Sequence, residues 1–222
     1  MSVGRWFEER KRDYFYRKAK EEGYPSRAAY KLIQANRRFR FLKRGDVVVD
    51  LGCAPGGWLQ VSAKIIGPDG VALGVDVRGI DQKLMSRGVV FMEGDILDPE
   101  LPEKITDRLG RRPDVILCDA SPNVSGVWEV DHARQIHLAR AALSIAKLTL
   151  KESGRFFVKV FDGPLLKEYI GEVKQHFRDL RLLKPEASRA KSSELYLLGL
   201  GFRGCGDLQL RVTCPPDLQD ST

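Results

Sequence analysis

Five short apolar runs constrain the fold of this chain more than any other feature. They are VVVDL at 47–51, VALGVD at 71–76, VVFME at 89–93, DVILCDA at 114–120 and RFFVKVF at 155–161. Continuous apolar runs of this length are typical of strands that are buried on both faces of a parallel sheet. Amphipathic stretches separate the runs, and this alternation predicts right-handed βαβ crossovers.

The stretches between the runs predict helices at 57–66, 100–109, 129–151 and 164–176, and two last strands are predicted at 180–184 and 194–201. The fold class is therefore α/β, with a mostly parallel seven-stranded sheet and helices on both faces. A chain of 222 residues suffices for one such domain and is short for two. We predict a single domain over 1–202 and a short turn-rich tail over 203–222.

The first 44 residues differ from the rest in charge. They hold fourteen Lys or Arg against five Asp or Glu, a larger excess than the +7 of the whole chain. We predict a basic helical extension, with one helix at about 6–22 and a second after Pro25, capped by Ser26. Aromatic residues are interleaved with the basic ones, which suits a nucleic acid, a polyanion whose bases can stack. Alternatively, the aromatics dock on the domain and the charges are merely solvated.

Several classes of protein are disfavoured. No apolar stretch reaches the roughly 18 to 20 residues of a membrane span, and the opening residues lack a signal-peptide core, so we expect a cytoplasmic protein without membrane association. The four cysteines form no CxxC pair, and a Cys205–Cys214 bridge is a disfavoured alternative. His132 and His137 would point to different faces of a helix, so no metal site is predicted. No heptad pattern calls for a partner, and we expect a monomer.

The first apolar run leads into a glycine-rich loop, GCAPGGW at 52–58. Gly52, Gly56 and Gly57 permit a tight turn and a close approach of a ligand to the following helix N-terminus. Asp76 ends the second run, where it could accept hydrogen bonds from ribose hydroxyls. Asp95, after the third run, could accept from an adenine amino group. A nucleoside-containing cofactor is indicated, although the spacing is not GxGxxG and a plain strand-to-helix turn is the alternative.

A charged residue interrupts the fifth apolar run. Lys159 stands in RFFVKVF, where its ammonium must snorkel to solvent, pair with an acid or lose its proton. Asp119 ends the neighbouring buried run and is followed by the polar turn Ser121, Pro122 and Asn123. Opposite charges at the carboxyl edge of adjacent strands indicate a functional site.

Five motifs together resemble one enzyme family. SRAAYKL at 26–32, CAPGGW at 53–58, DASPNVSG at 119–126, FFVKVF at 156–161 and KPEASRAKSSELYLL at 184–198 are similar to those of the FtsJ-type ribose 2′-O-methyltransferases, over about 6–201. The resemblance implies a Rossmann-like methyltransferase fold with S-adenosylmethionine as methyl donor. Cys53 replaces the alanine of some members, which we interpret as a packing change.

The resemblance also implies the roles of particular residues. The matching catalytic tetrad is Lys31, Asp119, Lys159 and Glu194. The matching cofactor-binding residues are Gly56, Trp58, Asp76, Asp95 and Asp119. Without the resemblance, Lys31 would be one more basic residue of a helix and Glu194 a solvated charge. Whether Lys159 removes a proton from the ribose hydroxyl or steers it by charge stays open at this level.

The expected substrate is RNA. The resemblance is closest to members that methylate large-subunit ribosomal RNA, because Asn123 stands where members acting on the tRNA anticodon loop carry Asp. We therefore expect methylation of a uridine in large-subunit ribosomal RNA, free or within the ribosomal subunit, with tRNA as the alternative. A nicotinamide oxidoreductase would leave Lys31 and Glu194 unexplained, and a noncatalytic RNA-binding protein would leave the glycine-rich loop unexplained.

Overall fold

Seven strands form one sheet in the computed structural model, which describes residues 14–85, 88–189 and 192–204. In chain order they are β1 (Val47–Leu51), β2 (Val71–Asp76), β3 (Val89–Glu93), β4 (Val115–Cys118), β5 (Arg155–Phe161), β6 (Phe177–Leu183) and β7 (Glu194–Phe202). Their order across the sheet is β3-β2-β1-β4-β5-β7-β6. β7 is antiparallel to both of its neighbours, and the other pairings are parallel.

Helices cover both faces of the sheet. They are α1 (14–21), α2 (Ala28–Phe39), α3 (Gly57–Ile66), α4 (Leu101–Leu109), α5 (Trp128–Thr149) and α6 (Leu166–His176), with a 3₁₀ turn at Gln82–Leu84. The apolar sides of α2 and α3 pack on one face, and those of α4, α5 and α6 pack on the other. Successive strand residues alternate between the two cores, as Val48 and Val49 do in β1. The predicted fold class is confirmed.

Strands β1, β2, β3 and β5 have the predicted bounds, whereas β6 does not. β6 was expected at 180–184 but begins at Phe177, immediately after α6 ends at His176. Phe177 has extended backbone angles and is buried, with its ring 5.8 Å from that of Phe156 and 5.4 Å from that of Phe202. The sequence FRDLRLL lacks a continuous apolar run because β6 pairs only with β7 among the described strands.

Some aromatic residues of the described N-terminal segment dock on the domain, and others are exposed. Phe15 and Tyr30 pack together in a small buried cluster, so part of the aromatic set docks on the domain. Tyr14 and Tyr16 are 52% and 59% exposed. The predicted Ser26 cap is wrong by one position: Arg27 is the N-cap of α2, and the Ser26 hydroxyl accepts the Ala28 N–H at 3.3 Å. The start of the predicted first helix and the 205–222 part of the tail, including Cys205 and Cys214, lie outside the described residues.

The described residues bear on two further expectations. No helix among them combines the length and apolar character that a membrane crossing requires. The same residues contain no group of three His, Cys, Asp or Glu side chains placed to hold a metal ion. Cys53 and Cys118 are buried free thiols.

Candidate active site

A cavity of about 1110 Å³ opens at the carboxyl ends of the central strands. Each strand contributes the residues that follow it: Gly52 and Ala54 after β1, Asp76 to Arg78 at β2, Gly94 to Leu97 after β3, and Asp119 to Asn123 after β4. The sheet order reverses between β1 and β4, since β2 and β3 lie on one side of β1 and β5 on the far side of β4. Such a switch point is where ligands bind in open α/β sheets.

Two glycines of the loop after β1 have backbone angles that favour glycine. Gly52 has φ 73°, and a Cβ there would lie 2.7 Å from the Ala120 Cβ. Gly56 has φ 103°, and a Cβ there would meet the end of the Leu84 side chain, which can move aside. A larger residue would be strained at both positions, and at Gly52 it would also clash. The loop is therefore held close to the β4 end and to the 3₁₀ turn that flank the cavity.

All three carboxylates predicted to bind the cofactor, Asp76, Asp95 and Asp119, line this cavity. Asp76 is buried, and its two oxygens accept the backbone N–H groups of Ala54 and Arg78, each at 2.9 Å. Asp95 Oδ1 accepts the Leu97 N–H at 2.9 Å. These hydrogen bonds fix the carboxylates, and each ionised oxygen can accept more than one bond. The site therefore offers acceptors for hydroxyl and amino donors of a ligand.

Trp58 and Gly56 are not among the residues that line the cavity. The Trp58 ring is 2% exposed and lies 5.3 Å from the Phe157 ring and 5.6 Å from the Tyr196 ring. Its indole N–H donates to the Ala28 carbonyl at 2.8 Å. The structure therefore places the Trp58 side chain in the core between α2 and α3, where it fixes the start of α2.

The four residues of the predicted tetrad meet at one edge of the cavity, which all four line. Lys31 comes from α2, Asp119 follows β4, Lys159 lies in β5 and Glu194 begins β7. They form two ion pairs: Lys31 Nζ lies 2.8 Å from Glu194 Oε1, and Lys159 Nζ lies 3.2 Å from Asp119 Oδ1. Both lysines are buried. Sequence reasoning thus predicted a set that the structure brings together.

Tyr196 connects the two ion pairs. Its hydroxyl lies 2.8 Å from Asp119 Oδ1 and 3.1 Å from Glu194 Oε1, so its single proton can be donated to either carboxylate. Burial, together with these two negative neighbours, raises the pKa of Tyr196 well above its ordinary value, which keeps the hydroxyl protonated. Tyr196 stands in the ELYLL motif that carried the resemblance, but no sequence signal indicated its role.

The charges of the site lower the pKa of Asp119. Burial alone would raise it, but the ammonium groups of Lys159 and Lys31 and the Tyr196 hydroxyl reverse that effect and hold the pKa below its ordinary value. Asp119 is therefore ionised at neutral pH. A buried carboxylate that is fully ionised orients the cations beside it.

Ser121 was expected at the site only as part of a polar turn, and no sequence signal indicated Gln135 or Asp50, which lie beside the site. Lys159 Nζ donates to Ser121 Oγ and, at 2.6 Å, to the Asp119 backbone carbonyl. The buried Gln135 amide of α5 donates to the Ala120 carbonyl at 3.2 Å and to the Lys159 carbonyl at 3.1 Å. These bonds tie the loop after β4 to β5. Asp50 of β1 is fully buried, and neither carboxylate oxygen has a partner within the described protein atoms.

The fold and site define a class of protein. A mostly parallel Rossmann-like sheet with an antiparallel seventh strand, and a nucleoside-sized cavity at its switch point, is the architecture of S-adenosylmethionine-dependent methyltransferases. The chain belongs to the FtsJ-like methyltransferase family, whose sequence model matches residues 24–202. The family indicated by the motifs is confirmed, and S-adenosylmethionine is the cofactor of this class.

Similar proteins come from several organisms. A protein of Methanococcus aeolicus named ribosomal RNA large subunit methyltransferase E is 46% identical over 200 residues, which are 90% of this chain and 74% of that protein. Its namesake from Methanothrix thermoacetophila is 50% identical over 188 residues, or 85% and 72% of the two chains. A crystal structure of a Plasmodium falciparum protein assigned as a ribosomal RNA methyltransferase has 27% identity and a TM-score of 0.73. The match covers 82% of this chain and 100% of that one.

A more distant structure supports the fold alone. Aeropyrum pernix fibrillarin, crystallised with S-adenosyl-L-methionine, has 18% identity and a TM-score of 0.52, and the match covers 72% of this chain and 68% of that one.

Proposed function

We propose that this protein transfers a methyl group to the 2′-hydroxyl of a ribose in large-subunit ribosomal RNA, with a uridine as the target nucleotide. The observation that carries the proposal is the meeting of two buried lysines with two carboxylates at the edge of the cavity. The names of the archaeal relatives support the choice of RNA. The proposal takes the catalytic domain to be one unit over 1–202, acting as a monomer in the cytoplasm.

The carboxylates that line the cavity would suit the donor groups of S-adenosylmethionine. Asp76 would accept the ribose hydroxyls of the cofactor and Asp95 the adenine amino group, because both carboxylates are already oriented by backbone N–H groups. The glycine-rich loop would let the ligand approach the backbone closely, and Gly56 would act through its conformation. Trp58 would contribute by fixing α2. When bound, the cofactor supplies an electrophilic methyl group on a sulfonium.

Lys159 is proposed to hold the attacking ribose hydroxyl. Lys159 Nζ lies within hydrogen-bond distance of three acceptors, the Asp119 carbonyl, the Asp119 carboxylate and the Ser121 hydroxyl, and the ribose hydroxyl would replace one of them when RNA binds. The Asp119 carbonyl and carboxylate hold Lys159 Nζ at the edge of the cavity, and this geometry supports orientation of the hydroxyl by Lys159. Proximity and alignment then account for a large part of the rate. Lys31, Glu194 and Tyr196 would position this group and the RNA ribose.

Exposed arginines at the end of α2 are proposed to contact the RNA backbone. Arg37, Arg38 and Arg40 are all exposed, whereas Lys31 of the same helix is buried in the site. Helix α2 therefore places Lys31 in the cavity and, about two turns further along, presents the guanidinium groups of the three arginines to solvent. Phosphate contacts of this kind position an RNA without reading its sequence.

The function is tested with labelled cofactor and separate RNA pools. The protein is incubated with methyl-tritiated S-adenosylmethionine and either large-subunit ribosomal RNA, intact large subunits or tRNA, and methylated riboses are located by their resistance to alkaline cleavage. We expect label in large-subunit RNA, at a uridine. Label confined to tRNA would identify tRNA as the substrate in place of ribosomal RNA. Absence of label from every RNA, despite cofactor binding, would overturn the proposal.

A further inference from the structure

Exposed apolar side chains are concentrated on the segment that follows the loop after β4. Eleven large hydrophobic residues are exposed among those described, and four of them lie within 124–130: Val124, Val127, Trp128 and Val130, at 76%, 53%, 41% and 39%. The exposed Val77 and Leu97 line the cavity itself, but these four do not. Concentrated exposed apolar surface marks an interaction site. The catalytic geometry leaves this patch, which we term the rim patch, without a function.

The rim patch is held in place by hydrogen bonds. The Asp131 carboxylate of α5 accepts the Ser125 N–H at 2.7 Å, the Ser125 hydroxyl at 2.8 Å and the Gly126 N–H at 3.2 Å. The Arg134 guanidinium donates to the Asn123 carbonyl at 3.4 Å. The apolar side chains are therefore displayed by a segment with a defined conformation, which lowers the entropy cost of binding to it.

Trp128 forms the flat part of the rim patch. Its ring lies 5.7 Å from the His132 ring and 5.8 Å from the Phe161 ring, with interplanar angles of 27° and 24°. Both neighbours are thus stacked with it, and they back a ring that is still 41% exposed. A large, rigid aromatic surface supported in this way suits another planar ring.

The rim patch is next to the reacting group. Phe161 lies two residues beyond Lys159 in β5, which is about 6.6 Å along a strand. The same loop contributes Ser121, Pro122 and Asn123 to the cavity wall. Trp128 therefore lies within reach of a nucleotide adjacent to a ribose that is held at Lys159.

We propose that Trp128, backed by Phe161 and His132, is a stacking platform for the base adjacent to the methylated ribose. The inference rests on the proposed function, because it takes RNA to be the ligand at the cavity. Stacking uses the face of the ring and tolerates any base, so the platform would place the strand without choosing its sequence. Continuity with the cavity favours a nucleobase over a protein partner.

Kinetics of Trp128 variants test the platform. Trp128→Ala should raise the KM for RNA about thirtyfold, the middle of the range expected for loss of one stacked base, and leave the affinity for S-adenosylmethionine unchanged. Trp128→Phe should restore most of the affinity for RNA. Leu148→Ala is the matched control, since Leu148 is an apolar residue 60% exposed at the far end of the same helix, and it should behave as wild type.

A direct measurement uses a short single-stranded oligoribonucleotide and the same oligonucleotide with abasic sites. Base-containing RNA should quench tryptophan fluorescence of the wild type, and both the Trp128→Phe variant and the abasic RNA should abolish that quenching. The platform would be overturned by quenching in the Trp128→Phe variant equal to that of the wild type. It would also be overturned by equal KM values for the base-containing and abasic RNAs, or by an unchanged KM for RNA in Trp128→Ala. Quenching through Trp128 without methylation of any RNA would instead overturn the proposed function and leave the platform standing.

Discussion

Replacing Lys159 tests the proposed reaction most directly. Lys159→Met keeps an unbranched side chain of similar length and removes the ammonium that lies 3.2 Å from Asp119 Oδ1. If the ammonium holds the attacking hydroxyl, methyl transfer should fall by about 10² to 10⁴, the range that a positioned acid-base or charged group contributes. The affinity for S-adenosylmethionine should change little, because the loss falls on the transition state.

The same change should also lower stability. Lys159 is 3% exposed, and its removal leaves the Asp119 side chain, which is 17% exposed, without its nearest cation. Such a loss costs about 3 to 5 kcal/mol where the remaining charge is fully buried. Lys31 and the Tyr196 hydroxyl still favour the ionised carboxylate, so the lower end of that range is expected. Pairing Lys159→Met with Asp119→Asn removes the unpaired charge and should recover part of the melting temperature without restoring the rate.

Single-turnover rates, calorimetry with S-adenosylmethionine and thermal melts separate these effects. Lys159→Arg is the second variant, because a guanidinium keeps the charge and cannot act as a base at neutral pH. We expect it to be inactive, because a planar guanidinium cannot reproduce the contacts that the compact Lys159 ammonium makes with Asp119 and Ser121. Wild-type turnover in Lys159→Met would refute the catalytic role. Near-wild-type turnover in Lys159→Arg would confirm steering by charge and exclude proton removal by Lys159.

Three other changes have defined outcomes. Asp76→Ala should weaken S-adenosylmethionine binding by about 1 to 3 kcal/mol, measured by calorimetry, because it leaves ribose donors unpaired; unchanged affinity would move the ribose contact elsewhere. Neutralising Arg37, Arg38 and Arg40 together should weaken RNA binding and flatten its salt dependence while cofactor affinity is retained, and unchanged RNA affinity would contradict the contact. Burial, and to a smaller extent the nearby carboxylates, raises the pKa of Asp50 well above its ordinary value. The contribution of Asp50 to the stability of the fold is therefore fully present below the ordinary carboxyl pKa, and it declines as the pH rises toward the raised pKa. Asp50→Asn should therefore raise the melting temperature more at pH 7 than at pH 5, and a gain independent of pH would show that Asp50 does not carry this cost.

The sequence predicted the strands of the central sheet because burial on both faces leaves a continuous apolar run. β1, β2, β3 and β5 accordingly have the predicted bounds. The tetrad was predicted through the motifs, and for Asp119 and Lys159 also by the rule that parallel strands end at one edge. Roles that depend on packing between distant segments were not predictable. Tyr196 and Trp58 both have the sequence context of core aromatic residues. In the structure, however, the Tyr196 hydroxyl connects two ion pairs, and the Trp58 indole fixes the start of α2.

The direction of β7 explains how Glu194 joins residues from parallel strands. Because β7 is antiparallel to β5, its first residue lies opposite the last residue of β5, and Glu194 pairs in register with Phe161. The start of β7 therefore lies at the same edge as the carboxyl ends of β4 and β5. Lys31 comes from outside the sheet, and it is held there by the Trp58 hydrogen bond to Ala28 one turn earlier in α2. A parallel seventh strand would place its first residue at the opposite edge, so the antiparallel insertion is a condition for this tetrad.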